Sequence, residues 1–147
     1  MTLPQAHANG EHRAQLIQTF HTRATIVKHF GMTLSFLDDG RAVIDLPYNP
    51  NLNHALGGIH GGVIMTLIDS AAWFASAASD PEHVWVATSE LSTHLLLPAA
   101  NTSLRAVGKI IKAGKRQDIV EAEVTDGDGK LVAHGVGTFI VLPKLAL

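Results

Sequence analysis

The sequence predicts a single α+β domain in which a curved antiparallel sheet is wrapped around one long central helix. Two observations lead to this prediction. The segment from Val63 to Ala78 is apolar on nearly every side, and a helix of that kind must be covered all round rather than lie on a surface. About six other segments have the composition of strands, most of them after this helix, and together they can form the covering sheet.

The N-terminal part of the chain predicts a helix followed by a hairpin. Residues 11–30 place large apolar side chains at roughly helical spacing among polar neighbours. This spacing predicts an amphipathic N-terminal helix that ends near Gly31. Residues 32–37 and 41–48 flank the turn-forming Asp-Asp-Gly sequence at 38–40, and we expect them to pair as a hairpin.

Loops and strands account for the rest of the chain. The segment 48–58 holds a proline, three asparagines and two glycines, a composition typical of a loop that can carry function. Gly114 and the Asp-Gly-Asp-Gly sequence at 126–129 predict two sharp turns. Strands after the central helix are predicted at 84–97, 104–112, 118–125 and 131–142.

Length and composition limit the classes of function. A chain of 147 residues has the size of one domain, and we expect residues 1–24 to be a leader with part of the amphipathic helix and residues 25–147 to form that domain. A net charge of −2 offers no basic surface for nucleic acid or for a membrane, and the apolar segment is too short to span a bilayer. The lack of cysteine and of a signal-peptide pattern favours the cytoplasm.

The start of the central helix carries the pattern of most chemical interest. His60-Gly61-Gly62 opens the helix, and Asp69, the one acid of the apolar segment, follows nine residues after the histidine. In this pattern, and in the order of elements over residues 25–142, the chain resembles the hotdog-fold acyl-CoA thioesterases, most closely the PaaI-like (phenylacetyl-CoA type) branch. The resemblance implies that the backbone N–H of Gly61 polarises the thioester carbonyl and that Asp69 is the general base or the nucleophile.

Elementary helix chemistry supports these roles. The first N–H groups of a helix have no partner within it and carry partial positive charge, so an oxyanion would be stabilised at Gly61. Asp69 lies eight residues further on, about 12 Å along the axis, and cannot easily serve the same carbonyl. The geometry closes if two copies pair with antiparallel helices, so that Asp69 of one copy faces Gly61 of the other. The resemblance agrees, because hotdog thioesterases build their sites between protomers, and it implies a homodimer or a homotetramer.

Simpler roles compete at these positions. Asp69 could instead accept hydrogen bonds from a neighbouring loop, and His60 is expected to fix the helix start by a side-chain hydrogen bond rather than to be the main catalyst. The resemblance places a water-positioning hydroxyl early in the long strand, where the nearest match is Thr88. Strict alternation puts Thr88 on the same face as Glu90 and Ser92, a face better suited to solvent or to an interface. A bulge near the start of the strand would let Thr88 reach the site.

The loop before the helix departs from the family pattern at one position. Many relatives carry an asparagine six residues before the histidine, where its amide holds the thioester or the attacking water. Here that position is His54, with Asn53 beside it. Either Asn53 reaches in, or His54 has taken over and adds a group that titrates near neutral pH. A solvent-exposed loop histidine is the simpler alternative.

Other residues are candidates for substrate binding. Trp73, one helical turn after Asp69, and Phe74 are candidates to shape an acyl pocket, with core packing as their alternative role. Gly62 belongs to the same set because it lies beside the predicted oxyanion donor. Four basic residues around the Gly114 turn could meet the phosphates of coenzyme A or could simply be solvated: Lys109, Lys112, Lys115 and Arg116.

Nine histidines raise the question of a metal, but none forms a tight helical pair and no HExxH pattern occurs. We therefore expect no metal and no cofactor beyond the coenzyme A of the substrate. The sequence predicts an enzyme that hydrolyses an acyl-CoA or a related thioester to acid and thiol. A hotdog-fold hydratase or dehydratase and a non-catalytic acyl-thioester binding module stay open, and rapid thiol release would distinguish hydrolysis from both.

Overall fold

A computed structural model describes residues 3–81 and 85–142, with side chains described from residue 9 onward. The helices are α1 (Leu3–Arg23), α2 (Thr25–Phe30) and α3 (Gly61–Ala77), and the strands are β1 (Thr33–Phe36), β2 (Ala42–Leu46), β3 (Val86–Leu95), β4 (Leu104–Lys112), β5 (Gln117–Asp126) and β6 (Leu131–Val141). A short 3-10 helix at Pro50–Leu52 lies in the loop before α3. The predicted order of elements is confirmed.

All six strands form one sheet in the order β1-β2-β4-β5-β6-β3, and every neighbouring pair is antiparallel. The central helix α3 packs against β2, β3, β4, β5 and β6. One helix can touch five strands of a single sheet only if the sheet curves around it. The predicted α+β arrangement, a sheet wrapped around a central helix, is therefore confirmed.

Small residues bring the helix close to the middle of the sheet. Ala71 and Ala72 on α3 are fully buried, and they face Gly108 on β4, where an added Cβ would collide with the backbone of Ala71. A glycine is required here because it lets the backbones approach each other. This close packing holds the middle of α3, and therefore Asp69, at a fixed height over the sheet.

The N-terminal segment differs from the prediction in two respects. The helix begins at Leu3 rather than at residue 11, and it is interrupted at Ala24, which has extended backbone angles (φ −81°, ψ 101°). The interruption lets both Phe20 of α1 and Val27 of α2 turn into the core, where each is buried. The end of the predicted helix is confirmed, because Gly31 terminates α2 in the left-handed conformation (φ 79°).

Both predicted hairpins form, since β1 pairs with β2 and β5 pairs with β6. The long strand β3 ends at Leu95, two residues before the predicted end, and its predicted start at Val84 lies outside the described residues. No helix within residues 3–81 and 85–142 combines the length and the hydropathy that a membrane span requires.

Candidate active site

The start of α3 is organised by His60. This residue is the N-cap, and its Nδ1 accepts the N–H of Gly62 at 2.9 Å, the loop-fixing role that we expected for it. Within the described part of the chain, no acceptor lies against the N–H of Gly61. A Cβ added at Gly61 would come within 2.8 Å of Leu95 Cδ1. The helix therefore begins with an unengaged N–H beside an apolar side chain.

Asp69 is paired with Thr88 in the same chain. The Thr88 hydroxyl donates to Asp69 Oδ1 at 2.8 Å. The pairing of β3 with β6 is irregular between Thr88 and Glu90: Thr88 is opposite the fully buried Phe139, whereas Glu90 is opposite Thr138. This bulge turns Thr88 toward the helix, although strict alternation would place it on the outer face with Glu90. The structure therefore contains the strand bulge that would let Thr88 reach Asp69.

A second hydrogen bond ties the helix to the start of β3. The indole N–H of Trp73 donates to the Val86 carbonyl at 2.8 Å. Trp73 lies one turn after Asp69 on α3, and Val86 lies two residues before Thr88 on β3. The two bonds therefore clamp the same stretch of strand to the same face of the helix, and they hold the bulge next to Asp69.

Asp69 lies at the edge of a largely apolar cavity of about 480 Å³. Both tryptophans, Trp73 and Trp85, contribute to it. Its other walls come from α1, α2 and the middle of α3: His12, Gln15, Leu16, Thr19, Phe20, Arg23, Ala24, Ile26, Val27, Ser70 and Phe74. Among the described residues that line the cavity, Asp69 is the sole carboxylate, and its Oδ2 has no hydrogen-bond partner in that part of the chain. A carboxylate with one unengaged oxygen in the described structure therefore lines an apolar space.

The loop residues Asn53 and His54 are close to the start of α3 and not to Asp69 of the same chain. Asn53 forms an isolated bridge with Ile59, donates from Nδ2 to the Tyr48 hydroxyl at 3.3 Å, and has a buried Oδ1 without a partner in the described structure. His54 Nδ1 accepts the N–H of Leu56 at 3.1 Å and so closes a turn. Neither residue lines the cavity beside Asp69.

The four basic residues around Gly114 also lie away from that cavity within one chain. All four are exposed: Lys109, Lys112, Lys115 and Arg116. Lys109 makes an ion pair with Glu121 at 3.6 Å, and it lines a separate cavity at the C-terminal end of α3 together with Arg13 and Arg41. The hairpin that carries the basic residues is thus placed at the end of α3 opposite to Gly61.

Two buried polar contacts at that end of α3 were not predicted from the sequence. Asp118, fully buried, accepts the Ser76 hydroxyl at 2.6 Å and the Gly114 N–H at 2.9 Å. His12, also buried, donates from Nε2 to the Ala77 carbonyl at 2.8 Å. The Asp118 contact had one local signal in the sequence, a carboxylate near the start of an apolar strand. The His12 contact had no local signal. Over residues 3–81 and 85–142, no cluster of three or more His, Asp or Glu side chains is arranged to hold a metal ion.

A six-stranded sheet wrapped around one helix that begins with His-Gly-Gly is a hotdog fold, and this protein is a thioester hydrolase built on it. Residues 56–133 match the Thioesterase superfamily, and the chain belongs to this family. The predicted resemblance to hotdog-fold thioesterases is thereby confirmed.

Individual relatives agree with this assignment. The chain is 31% identical over 125 residues to a candidate esterase of Saccharolobus solfataricus, covering 85% of this chain and 89% of that one. It is 27% identical to the 1,4-dihydroxy-2-naphthoyl-CoA hydrolase of Listeria monocytogenes, over 78% of this chain and 93% of the relative. A Bacillus halodurans protein whose crystal structure contains CoA superimposes with a TM-score of 0.77 at 29% identity, over 99% of this chain and 97% of that one.

Proposed function

We propose that this protein is an acyl-CoA thioesterase of the PaaI-like branch, in which Asp69 activates water or attacks the thioester directly. One observation carries the proposal: a half-buried carboxylate that lines an apolar cavity has one oxygen held by the Thr88 hydroxyl and the other unengaged within the described part of the chain. The match to the Thioesterase superfamily supports hydrolysis, and the relative named as a CoA hydrolase supports coenzyme A as the thiol.

Each of the two routes for Asp69 balances without a cofactor. As a general base, Asp69 takes a proton from water while the new hydroxide adds to the thioester carbon, and it returns the proton to the departing thiolate as the C–S bond breaks. As a nucleophile, Asp69 forms a mixed anhydride with release of the thiolate, and water then cleaves the anhydride. Thr88 serves both routes because its hydroxyl fixes the rotamer of the carboxylate. Coenzyme A enters only as part of the substrate.

The oxyanion donor is the N–H of Gly61, supplied by a second copy of the chain. Within one chain the two residues are eight positions apart on the regular helix α3, about 12 Å along its axis, so the donor and the base cannot meet on one carbonyl. When two α3 helices pair antiparallel about a two-fold axis, Asp69 of each copy faces Gly61 of the other, and the pair contains two sites. This arrangement requires at least a homodimer, and we extend it to a homotetramer by resemblance.

The surface around Gly61 supports the pairing. β3 is an edge strand of ten residues that pairs only with β6 among the described strands, and long open edges favour association. Apolar side chains at its end and on the exposed side of α3 stay about half-exposed in one chain: Met65, Leu95, Leu96 and Leu97. A second copy would bury these side chains and enclose the N–H of Gly61, where removal of water strengthens its hydrogen bond to an oxyanion.

Asn53 is the better candidate than His54 to orient the reacting groups. His54 already closes its own turn, whereas Asn53 holds a buried Oδ1 that lacks a partner in the described chain. The bridge between Asn53 and Ile59 keeps this amide beside the start of α3. In the proposed pair of chains, Asn53 therefore approaches the active site from the same copy as Gly61, together with His60 and Gly62.

The basic hairpin is the proposed contact for the phosphates of coenzyme A. Ser76 and Asp118 hold this hairpin at the C-terminal end of α3, seven residues or about 10 Å along the axis from Asp69. With antiparallel helices and Asp69 facing Gly61, that end of one chain lies about 10 Å beyond Gly61 of the other, alongside the loop that precedes its helix. The contacts would be made by Lys109, Lys112, Lys115 and Arg116. A cytoplasmic location is also part of the proposal and is supported by the cysteine-free sequence.

The first test measures thiol release from aliphatic and aromatic acyl-CoAs by the native protein and by Asp69→Asn. We expect the variant to lose more than about a hundredfold in kcat, the range for loss of a general base, with the oligomer intact. Asp128→Asn, an exposed acid at the β5–β6 turn, is the matched control and should retain full activity. After one turnover in heavy-oxygen water, label found in Asp69 identifies the nucleophilic route.

Two outcomes would contradict the proposal. Equal thiol release by the native protein and Asp69→Asn would remove this carboxylate from catalysis. No release from any thioester would favour the acyl-thioester binding module instead, and water addition to an enoyl thioester without thiol release would identify a hydratase.

A further inference from the structure

Part of the lining of the cavity beside Asp69 comes from the N-terminal helices, which were not predicted to contact the substrate. Six of its lining residues lie on α1, and three more, Ala24, Ile26 and Val27, lie at the junction with α2 or just after it. The helix interruption at Ala24 is what turns α2 across the cavity. The N-terminal helices therefore enclose the same space that Asp69 borders.

Aromatic rings from α3, from the start of β3 and from α1 pack together in the lining of this cavity. Trp73 and Phe74 pack edge to face at 4.8 Å between ring centroids, and each has a further edge-to-face partner: Trp85 at 5.5 Å from Trp73, and Phe20 at 4.9 Å from Phe74. The hydrogen bond from the Trp73 indole to the Val86 carbonyl fixes the middle of this set. Ring faces and edges held in this way form a preorganised apolar surface for a ligand.

The size of the cavity limits the ligand that would fill it. Its volume is about 480 Å³, whereas a cavity of about 150 Å³ is enough to hold benzene. An acetyl group would leave most of this space to water. A phenyl-bearing acyl group or a chain of about eight carbons would fill more of the space and bury more of its apolar lining.

The position of the reactive carboxylate gives the direction in which an acyl chain would lie. Polar side chains line the cavity from α1 as well (Gln15, Thr19 and Arg23), and His12 is engaged with the Ala77 carbonyl, but Asp69 is the one carboxylate among the described lining residues. The reacting carbonyl has to lie at the Asp69 border, where Oδ2 is unengaged. The far end of the acyl chain then points toward the junction of α1 with α2.

We propose that this cavity is the acyl site, that it takes aromatic or medium-chain acyl groups, and that Ala24 sets the largest group that fits. The proposal rests on the thioesterase function proposed above, since it assigns the acyl half of the same substrate. It makes Ala24 a specificity-determining residue, although Ala24 contributes nothing to the chemical step.

Binding to the cavity can be tested without catalysis. The chain contains two tryptophans, Trp73 and Trp85, and both line the cavity, so its occupation should change the intrinsic fluorescence. We expect saturable changes with phenylacetamide and octanamide, neutral analogues that lack the leaving thiol, and no saturable change with acetamide. Equal responses to all three amides, or no saturable response to the larger two, would overturn the proposal.

A pair of adjacent substitutions then locates the site. Ala24→Phe fills the cavity from the junction, whereas Thr25→Phe adds the same ring at an exposed neighbour that does not line it. We expect Ala24→Phe to weaken amide binding by about tenfold or more and Thr25→Phe to leave it within about twofold. If Ala24→Phe fails to fold, Thr19→Phe fills the same cavity from an exposed position on α1. Undiminished amide binding by a folded filling variant would overturn the assignment.

Thiol release with the same variants distinguishes this proposal from the function on which it rests. Ala24→Phe should lower kcat/KM for phenylacetyl-CoA and octanoyl-CoA by about tenfold or more relative to its effect on kcat/KM for acetyl-CoA. A loss that is equal for all three thioesters would overturn the specificity role. If the native protein releases no thiol while the amides still bind and Ala24→Phe still blocks them, hydrolysis fails and the acyl site stands.

Discussion

Two carboxylates lie at the central helix, one on a neighbouring strand and one on the helix itself, and they differ in burial and in hydrogen bonding. Asp118 approaches the C-terminal end of α3 from β5, is fully buried, and has each oxygen engaged by a donor, Ser76 for one and Gly114 for the other. Asp69 projects from the middle of α3, is half-buried, and has one oxygen held by Thr88 and one unengaged within the described structure. The first carboxylate joins a turn to a helix, while the second is oriented and left able to react.

The difference shows what distinguishes a reactive group from a structural one in the same fold. Burial without a partner costs a polar group free energy, so a buried carboxylate that is fully hydrogen-bonded serves stability. A carboxylate with one engaged and one unengaged oxygen gives up part of that stability for chemistry. Substitutions at the two sites should therefore affect different measurements.

The largest effect on folding is expected at Asp118. In Asp118→Ala the Ser76 hydroxyl and the Gly114 N–H lose their shared acceptor, and each such loss costs about 1–3 kcal/mol. We expect the free energy of unfolding to fall by about 2–6 kcal/mol in urea denaturation, while kcat of the folded protein stays within a few-fold. Asp69→Asn should show the reverse pattern, with activity lost and the urea midpoint nearly unchanged. A large loss of kcat in folded Asp118→Ala would show that the two carboxylates do not have separate roles.

The role of Asp118 was not predicted from the sequence, and the bulge beside Thr88 was only one of the alternatives that the sequence left open. Asp118 heads an apolar strand and resembles an ordinary exposed strand end, because the residue that helps to bury it, Ser76, lies 42 positions away. Thr88 belongs to a polar alternation that predicts the outer face, and the change of face depends on pairing with β6. Long-range contacts of this kind leave no local pattern.

The order of elements and the His60 cap at the start of α3 were predictable because their signals are local. His60, Gly61 and Asp69 lie on one continuous segment, so spacing alone relates them. The interruption of the first helix at Ala24 is the opposite case. Its sequence has no proline or glycine there, and the break is decided by Phe20 and Val27 both packing into the core.

An intermediate effect is expected at Thr88, the residue that makes Asp69 differ from a free carboxylate. Thr88→Val keeps the shape of the side chain and removes the hydroxyl that donates to Asp69 Oδ1. A hydrogen bond to a charged group contributes about 1.5–3 kcal/mol, so we expect kcat to fall by about tenfold to a hundredfold with KM little changed. Thr88→Ser retains the hydroxyl and should recover most of the activity. If Val and Ser at this position behave alike, the hydroxyl has no part in orienting Asp69.

The smallest effect should come from Trp73, which acts on Asp69 only through the strand. Trp73→Phe preserves a ring in the cavity lining and removes the N–H that donates to the Val86 carbonyl. Loss of one such bond costs about 0.5–1.5 kcal/mol. Of the two hydrogen bonds that tie the start of β3 to α3, only the Thr88–Asp69 bond then remains, and we expect kcat to fall a few-fold. Trp85→Phe is the matched control, since it removes the same ring from the cavity lining without removing a hydrogen bond within the described chain, and its kcat should fall less than that of Trp73→Phe. If Trp73→Phe keeps native kcat, the bulge alone is enough to hold Thr88 against Asp69. The pairing of β3 with β6, and not the contact from the helix, would then decide that one oxygen of Asp69 is hydrogen-bonded and the other is not.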